Sequence, residues 1–85
     1  MASYRLLIKA SAARELEALP RKERTRVVGR IRQLAMHPRP RGSEKLSGNE
    51  KYRIRQGNYR VLYSVDDADG SVLVVKIGHR RDVYR

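Results

Sequence analysis

Tyr52-Arg53-Ile54-Arg55-Gln56-Gly57-Asn58-Tyr59-Arg60-Val61-Leu62-Tyr63 is the stretch from which the fold reads outward. Apolar and cationic residues alternate on both sides of Gly57-Asn58, the period-two pattern of strands with one buried and one wet face. A Gly-Asn pair between two such runs is a tight hairpin signal. With a two-residue loop, Gln56 opposes Tyr59, Arg55 opposes Arg60, and Arg53 opposes Leu62. Directly opposed residues share a face, so Arg53, Arg55 and Arg60 should crowd one patch. Like charges set opposite each other destabilise a sheet, so folding alone gives no reason for the arrangement. A bound polyanion would reverse the sign of that interaction, which makes the patch a candidate phosphate site; the plain alternative is a solvated face with its arginines splayed into water.

Downstream, Asp66 to Gly70 reads as a second turn. Val72 to Ile77 is a near-continuous apolar run, as a strand flanked on both sides would show. Gly78 ends it, and His79-Arg80-Arg81-Asp82-Val83-Tyr84-Arg85 forms a polar tail. Upstream, Tyr4 to Ile8 is mostly apolar and predicts a buried first strand. Ser11 is positioned to cap a short helix with Ala12, Ala13, Leu16 and Leu19 on its apolar side. Pro20 closes that helix and opens a second, from about residue 20 to 37. Val27, Val28, Ile31, Leu34 and Ala35 share a stripe at helical period, with Arg26, Arg30, Gln33 and His37 on the other side. Pro38 and Pro40 stop this helix in a basic loop.

The order is strand, helix, helix, then three strands. It predicts an α+β domain in which two antiparallel N-terminal helices pack on one face of a mostly antiparallel, twisted sheet of about four strands. Leu16, Leu19, Val27, Ile31, Leu34, Val61, Val74 and Ile77 should be mostly buried. At 85 residues, residues 1–85 make a single domain.

Charge narrows the function. Twenty Lys+Arg against nine Asp+Glu give +11, and fifteen of those twenty cations are arginine. Arginine's planar fork grips phosphate oxygens in pairs, where lysine acts as a point charge. An isoelectric point near 10.9 is the footprint of a nucleic-acid binder, although an acidic protein partner feels the same field. There is no cysteine, which excludes a thiol nucleophile and any cysteine zinc site and fits a cytoplasmic setting. His37 and His79 stand far apart without ligand spacing, so neither a metal nor another cofactor is expected. Leu6-Leu7-Ile8 is too short for a signal-peptide core or a membrane span.

Several segments, taken in order, resemble the RelE-like toxins of type II toxin–antitoxin systems. They are Leu34-Ala35-Met36-His37-Pro38, Leu46-Ser47-Gly48, Tyr52-Arg53-Ile54-Arg55, Gly57-Asn58-Tyr59-Arg60-Val61-Leu62-Tyr63, and Ile77-Gly78-His79-Arg80 ending in Val83-Tyr84. The resemblance implies a metal-independent endoribonuclease that cuts mRNA in the ribosomal A site through attack of a ribose 2′-OH on its adjacent phosphate. It also implies an acidic antitoxin protein as cognate partner. Arg53 and Arg55 match positions held by two lysines in the archetype. Arg60 matches an arginine that neutralises the scissile phosphate, Arg80 one that donates a proton or stabilises charge, and Tyr84 a tyrosine that orients the base. Guanidinium is a poor base at neutral pH, and His79 is the nearby group able to titrate there. Arg26, Arg30, Lys51 and Arg81 are further candidate RNA contacts. The same fold occurs in ParE-like inhibitors of DNA gyrase, and a catalytically inactive RNA- or antitoxin-binding module is a third reading. Convergence of the arginines on one concave face would favour the nuclease.

Overall fold

The structure is a computed structural model that describes residues 3–46 and 51–81. Its elements are β1 (Arg5–Ile8), α1 (Ala10–Glu17), α2 (Arg21–Gln33), β2 (Glu44–Lys45), β3 (Lys51–Gln56), β4 (Tyr59–Asp66) and β5 (Ser71–His79). The β3–β4 hairpin has the register its turn dictates: Gln56 opposes Tyr59, Arg55 opposes Arg60 and Arg53 opposes Leu62. Gly57 takes φ 59°, a left-handed conformation that costs glycine nothing.

The five strands lie in the order β1-β5-β4-β3-β2. All neighbours are antiparallel except β1 and β5, which run parallel. Both helices cover one face. Val27, Ile31 and Leu34 join Tyr52, Ile54, Val61, Tyr63, Val65, Val72, Val74 and Ile77 in a single core, with Ala12 as the buried residue of α1. Leu16 and Leu19 pack against this core half-buried, less covered than the mostly buried positions expected of them.

The alternation along β5 breaks once. Val61 opposes Ile77 and Leu62 opposes Lys76, but Tyr63 opposes Val74, so Val75 is an extra residue. This bulge lets Val72, Val74 and Ile77 all reach the core despite the odd spacing between the last two. The β1 ladder stops at Val74. Beyond it, the Ile77 N–H donates to Glu15 Oε1 of α1 at 3.0 Å, so a helix carboxylate replaces the missing strand partner.

Three expectations need correction. β1 is an edge strand rather than a buried one, with Leu7 45% and Ile8 41% exposed; its apolar run reflects one-sided cover. Ser11 lies inside α1, whose N-cap is Lys9 without a side-chain bond. The second helix ends at Gln33, and i−3 bonds from Leu34, Ala35 and Met36 tighten its exit toward Pro38. A fifth strand, β2, was not expected, because two polar residues carry no periodic signal.

One polar cluster secures the chain between α2 and β2. The Arg39 guanidinium donates to Asp67 Oδ2 at 2.7 Å and Oδ1 at 3.2 Å, and its Nε donates to Tyr52 Oη at 2.8 Å. It also lies 5.2 Å from the Tyr52 ring centroid. Tyr4 donates to Asp67 Oδ1 at 2.7 Å, and buried Tyr63 donates to the Pro38 carbonyl at 2.7 Å. These bonds join the residue before β1, the post-helix loop, β3, β4 and the β4–β5 turn. Among the described residues, no helix is long and apolar enough to cross a membrane.

Candidate nucleic-acid interface

The face of the sheet opposite the helices carries Lys51, Arg53, Arg55, Arg60, Leu62, Ser64 and Leu73, none of them buried. At its hairpin end, Arg53, Arg55, Arg60, Arg80, Arg81 and Glu44 line an open cavity of about 470 Å³. Strand alternation delivers Arg53 and Arg55 there from β3, and the hairpin register delivers Arg60 from β4. Gly78 opposes Arg60. The Arg80 N–H donates to the Asn58 carbonyl at 2.8 Å, which binds the residues after β5 to the hairpin loop and brings Arg80 and Arg81 to the same rim.

The guanidiniums are held in different ways. Arg60 Nη1 donates to the carbonyls of Gly57 at 3.1 Å and Tyr59 at 3.0 Å, so this side chain is folded back onto its own turn. Arg53 is ion-paired with Glu44 across β2 and β3. Arg55, Arg80 and Arg81 are exposed. The directly opposed Arg55 and Arg60 retain the like-charge conflict that the hairpin register implies. Such an array, open to solvent and fixed by backbone, suits an anion with several oxygens.

Of the ten candidate site residues, four catalytic candidates converge here: Arg53, Arg55, Arg60 and Arg80. Arg81 joins them. Lys51 follows the same strand face, exposed, opposite Ser64. Tyr84 lies outside the described residues. His79 sits elsewhere: it opposes Tyr59, meets that ring edge-on at 5.8 Å between centroids, and lines two hollows on the helix side with Tyr59. Its Nδ1 accepts from the Arg81 N–H at 3.3 Å. Arg26 lines one of those hollows with Pro20, Glu23 and the hairpin loop, and Arg30 Nη1 donates to Gln33 Oε1 at 3.3 Å. These helix arginines belong to the covering layer, away from the arginine cavity. Glu44 was missed. Only the pairing of β2 with β3 reveals it, and no periodicity in residues 41–46 announces that pairing.

A family model described as "ParE toxin of type II toxin-antitoxin system, parDE" matches residues 6–84. The toxin RelE of Mycobacterium tuberculosis is 33% identical over 84 residues, covering 96% of this chain and 87% of its own length. The toxin RelG of the same organism is 41% identical over 34 residues, a match spanning 40% of this chain and 39% of RelG. Among solved structures, a chain of the toxin–antitoxin complex RelBE2 from M. tuberculosis superposes with a TM-score of 0.81 at 28% identity, over 93% of this chain and all of that one.

Proposed function

The chain belongs to the ParE toxin family of type II toxin–antitoxin systems and is RelE-like in sequence and fold, and from that premise we propose that it cleaves mRNA on the ribosome. The reaction is attack of a ribose 2′-OH on the adjacent phosphorus, leaving a 2′,3′-cyclic phosphate and a 5′-hydroxyl. Its phosphorane-like transition state gathers negative charge on the non-bridging oxygens, and fixed cations aimed at that charge are the largest means of lowering the barrier. The observation that carries the reading is the meeting of Arg53, Arg55, Arg60 and Arg80 in one cavity. Arg60, folded onto its turn, is the cation that neutralises the scissile phosphate. Arg80 stabilises the leaving side, and Arg55 with Arg81 holds neighbouring phosphates. Tyr84 orients the base, and Lys51, Arg26 and Arg30 supply outlying contacts to RNA. His79, which lines the helix-side hollows and not this cavity, is not required to touch the reacting atoms.

The partner that restrains this activity is an antitoxin protein, as in the toxin–antitoxin complexes among the structural neighbours. A net charge of +11 calls for an acidic segment over the arginine face, with association that quickens as salt is lowered. Mapping 5′ ends of a reporter mRNA translated in a cell-free system tests the proposal. New 5′-hydroxyl ends within codons appear with the protein present, and unchanged transcripts overturn the reading. The ParE name of the matching family model favours one other activity, inhibition of DNA gyrase without cleavage. Loss of gyrase supercoiling with mRNA left intact would select that reading.

A further inference from the structure

A proton must leave the 2′-OH as it attacks, and the arginine cavity is poor in groups that accept one. Guanidinium is protonated at neutral pH and has no acceptor atom. His79 lines other hollows. Among the described residues that line the cavity, Glu44 is the one carboxylate.

Its position is set by backbone pairing. Glu44 opposes Arg53 across β2 and β3, and opposed residues share a face, so the carboxylate stands on the arginine side of the sheet. Oε2 accepts from Arg53 Nη2. A carboxylate offers two oxygens with about four lone-pair sites, so engagement of one oxygen leaves the other with acceptor capacity. The side chain keeps 56% of its surface exposed, which leaves room for a ribose. The post-helix loop leading into β2 is itself held by the Arg39–Asp67 and Tyr63–Pro38 bonds.

We infer that Glu44 is the proton acceptor of the cleavage reaction, with Arg53 as the residue that orients it. The inference rests on the nuclease reading above. Glu44 takes the 2′-OH proton as the 2′-oxygen bonds to phosphorus. The bond from phosphorus to the 5′-oxygen breaks, and that oxygen leaves as a hydroxyl with a proton from water. Glu44 then returns its own proton to solvent, so no co-reactant is consumed.

The test is single-turnover cleavage of mRNA on programmed ribosomes by wild type, Glu44→Gln and Glu44→Asp, with ribosome affinity and thermal melting measured in parallel. Glu44→Gln should melt as wild type and bind as well or better, having lost a negative charge in a phosphate site. It should cleave about 10²–10⁴-fold more slowly, the range for loss of a general base. The acid limb of the wild-type pH–rate profile should vanish with it, and Glu44→Asp should recover part of the rate. If wild type cleaves and Glu44→Gln cleaves equally fast while binding more tightly, Glu44 is only a counter-ion of Arg53 and the inference falls alone. If wild type leaves mRNA intact, the nuclease reading falls and this role with it.

Discussion

The guanidinium of Arg60 bonds back to the carbonyls of Gly57 and Tyr59, so its charge is fixed before any ligand arrives. Preorganisation of this kind makes a cation effective against transition-state charge. Arg60→Ala and Arg80→Ala should each cost about 2–4 kcal/mol of transition-state stabilisation, the range for removing one preorganised donor, or about 30- to 1,000-fold in single-turnover rate. Melting temperature should hold or rise for Arg60→Ala, because the opposed Arg55 loses a like-charged neighbour. A rate within threefold of wild type would remove Arg60 from the reacting centre. This part of the site was legible in the sequence, since a two-residue turn and period-two alternation together assign both register and face. Glu44 was not legible, because its place depends on a non-local pairing of two polar residues.

Arg39 acts on whole elements, bonding to Asp67 in the β4–β5 turn and to Tyr52 in β3. The Arg39 guanidinium, followed by the Tyr4 hydroxyl, holds the Asp67 carboxyl below its ordinary value of 3.8. A folded-state pKa below the unfolded one contributes stability that is present above the unfolded value and is lost as pH falls through the folded one. The cluster should therefore support the fold fully at neutral pH and fade as acid is added below about pH 4. Asp67→Asn should lower the melting temperature at pH 7 and flatten its decline in acid, measured by circular dichroism from pH 7 to pH 2.5. Asp69 is also held low, first by its bond with Ser71 and then by Arg5, so some acid dependence should remain. An unchanged acid limb would show that the cluster holds nothing in solution. Sequence reading found the proline-marked loop but not its anchor, since partners 28 residues apart leave no local pattern. It also mistook β1 for a buried strand, because an apolar run looks alike whether a sheet continues past it or ends there.

For the molecule as a whole, on the nuclease reading, +11 on 85 residues makes association with RNA a counter-ion release process. Each phosphate neutralised on a single strand contributes about 0.7 to the slope of log K against log salt. Fluorescence titration of a short RNA should therefore show a steep fall with salt, and Arg55→Ala should reduce that slope. A flat response would point to a partner read through apolar contact. The helix-on-sheet architecture was legible from the order of periodicities, whereas the sheet order was not, because the placement of β1 beside β5 is decided by tertiary packing. The bulge at Val75 has a last consequence, one of parity. β5 holds one residue more than its ladder with β4 requires, so the chain is able to shorten by one there and still present every later side chain to its present face. Deleting Val75 should leave a cooperative fold that grips polyanions, since Ile77 still meets Val61 and Arg80 still reaches the hairpin loop. Deleting Gly78 should exchange odd for even beyond Ile77, turning Arg80 to the side where His79 now stands and weakening polyanion binding. The tolerance of this family member to change in length thus has an address, a single spare residue in the middle of its longest strand.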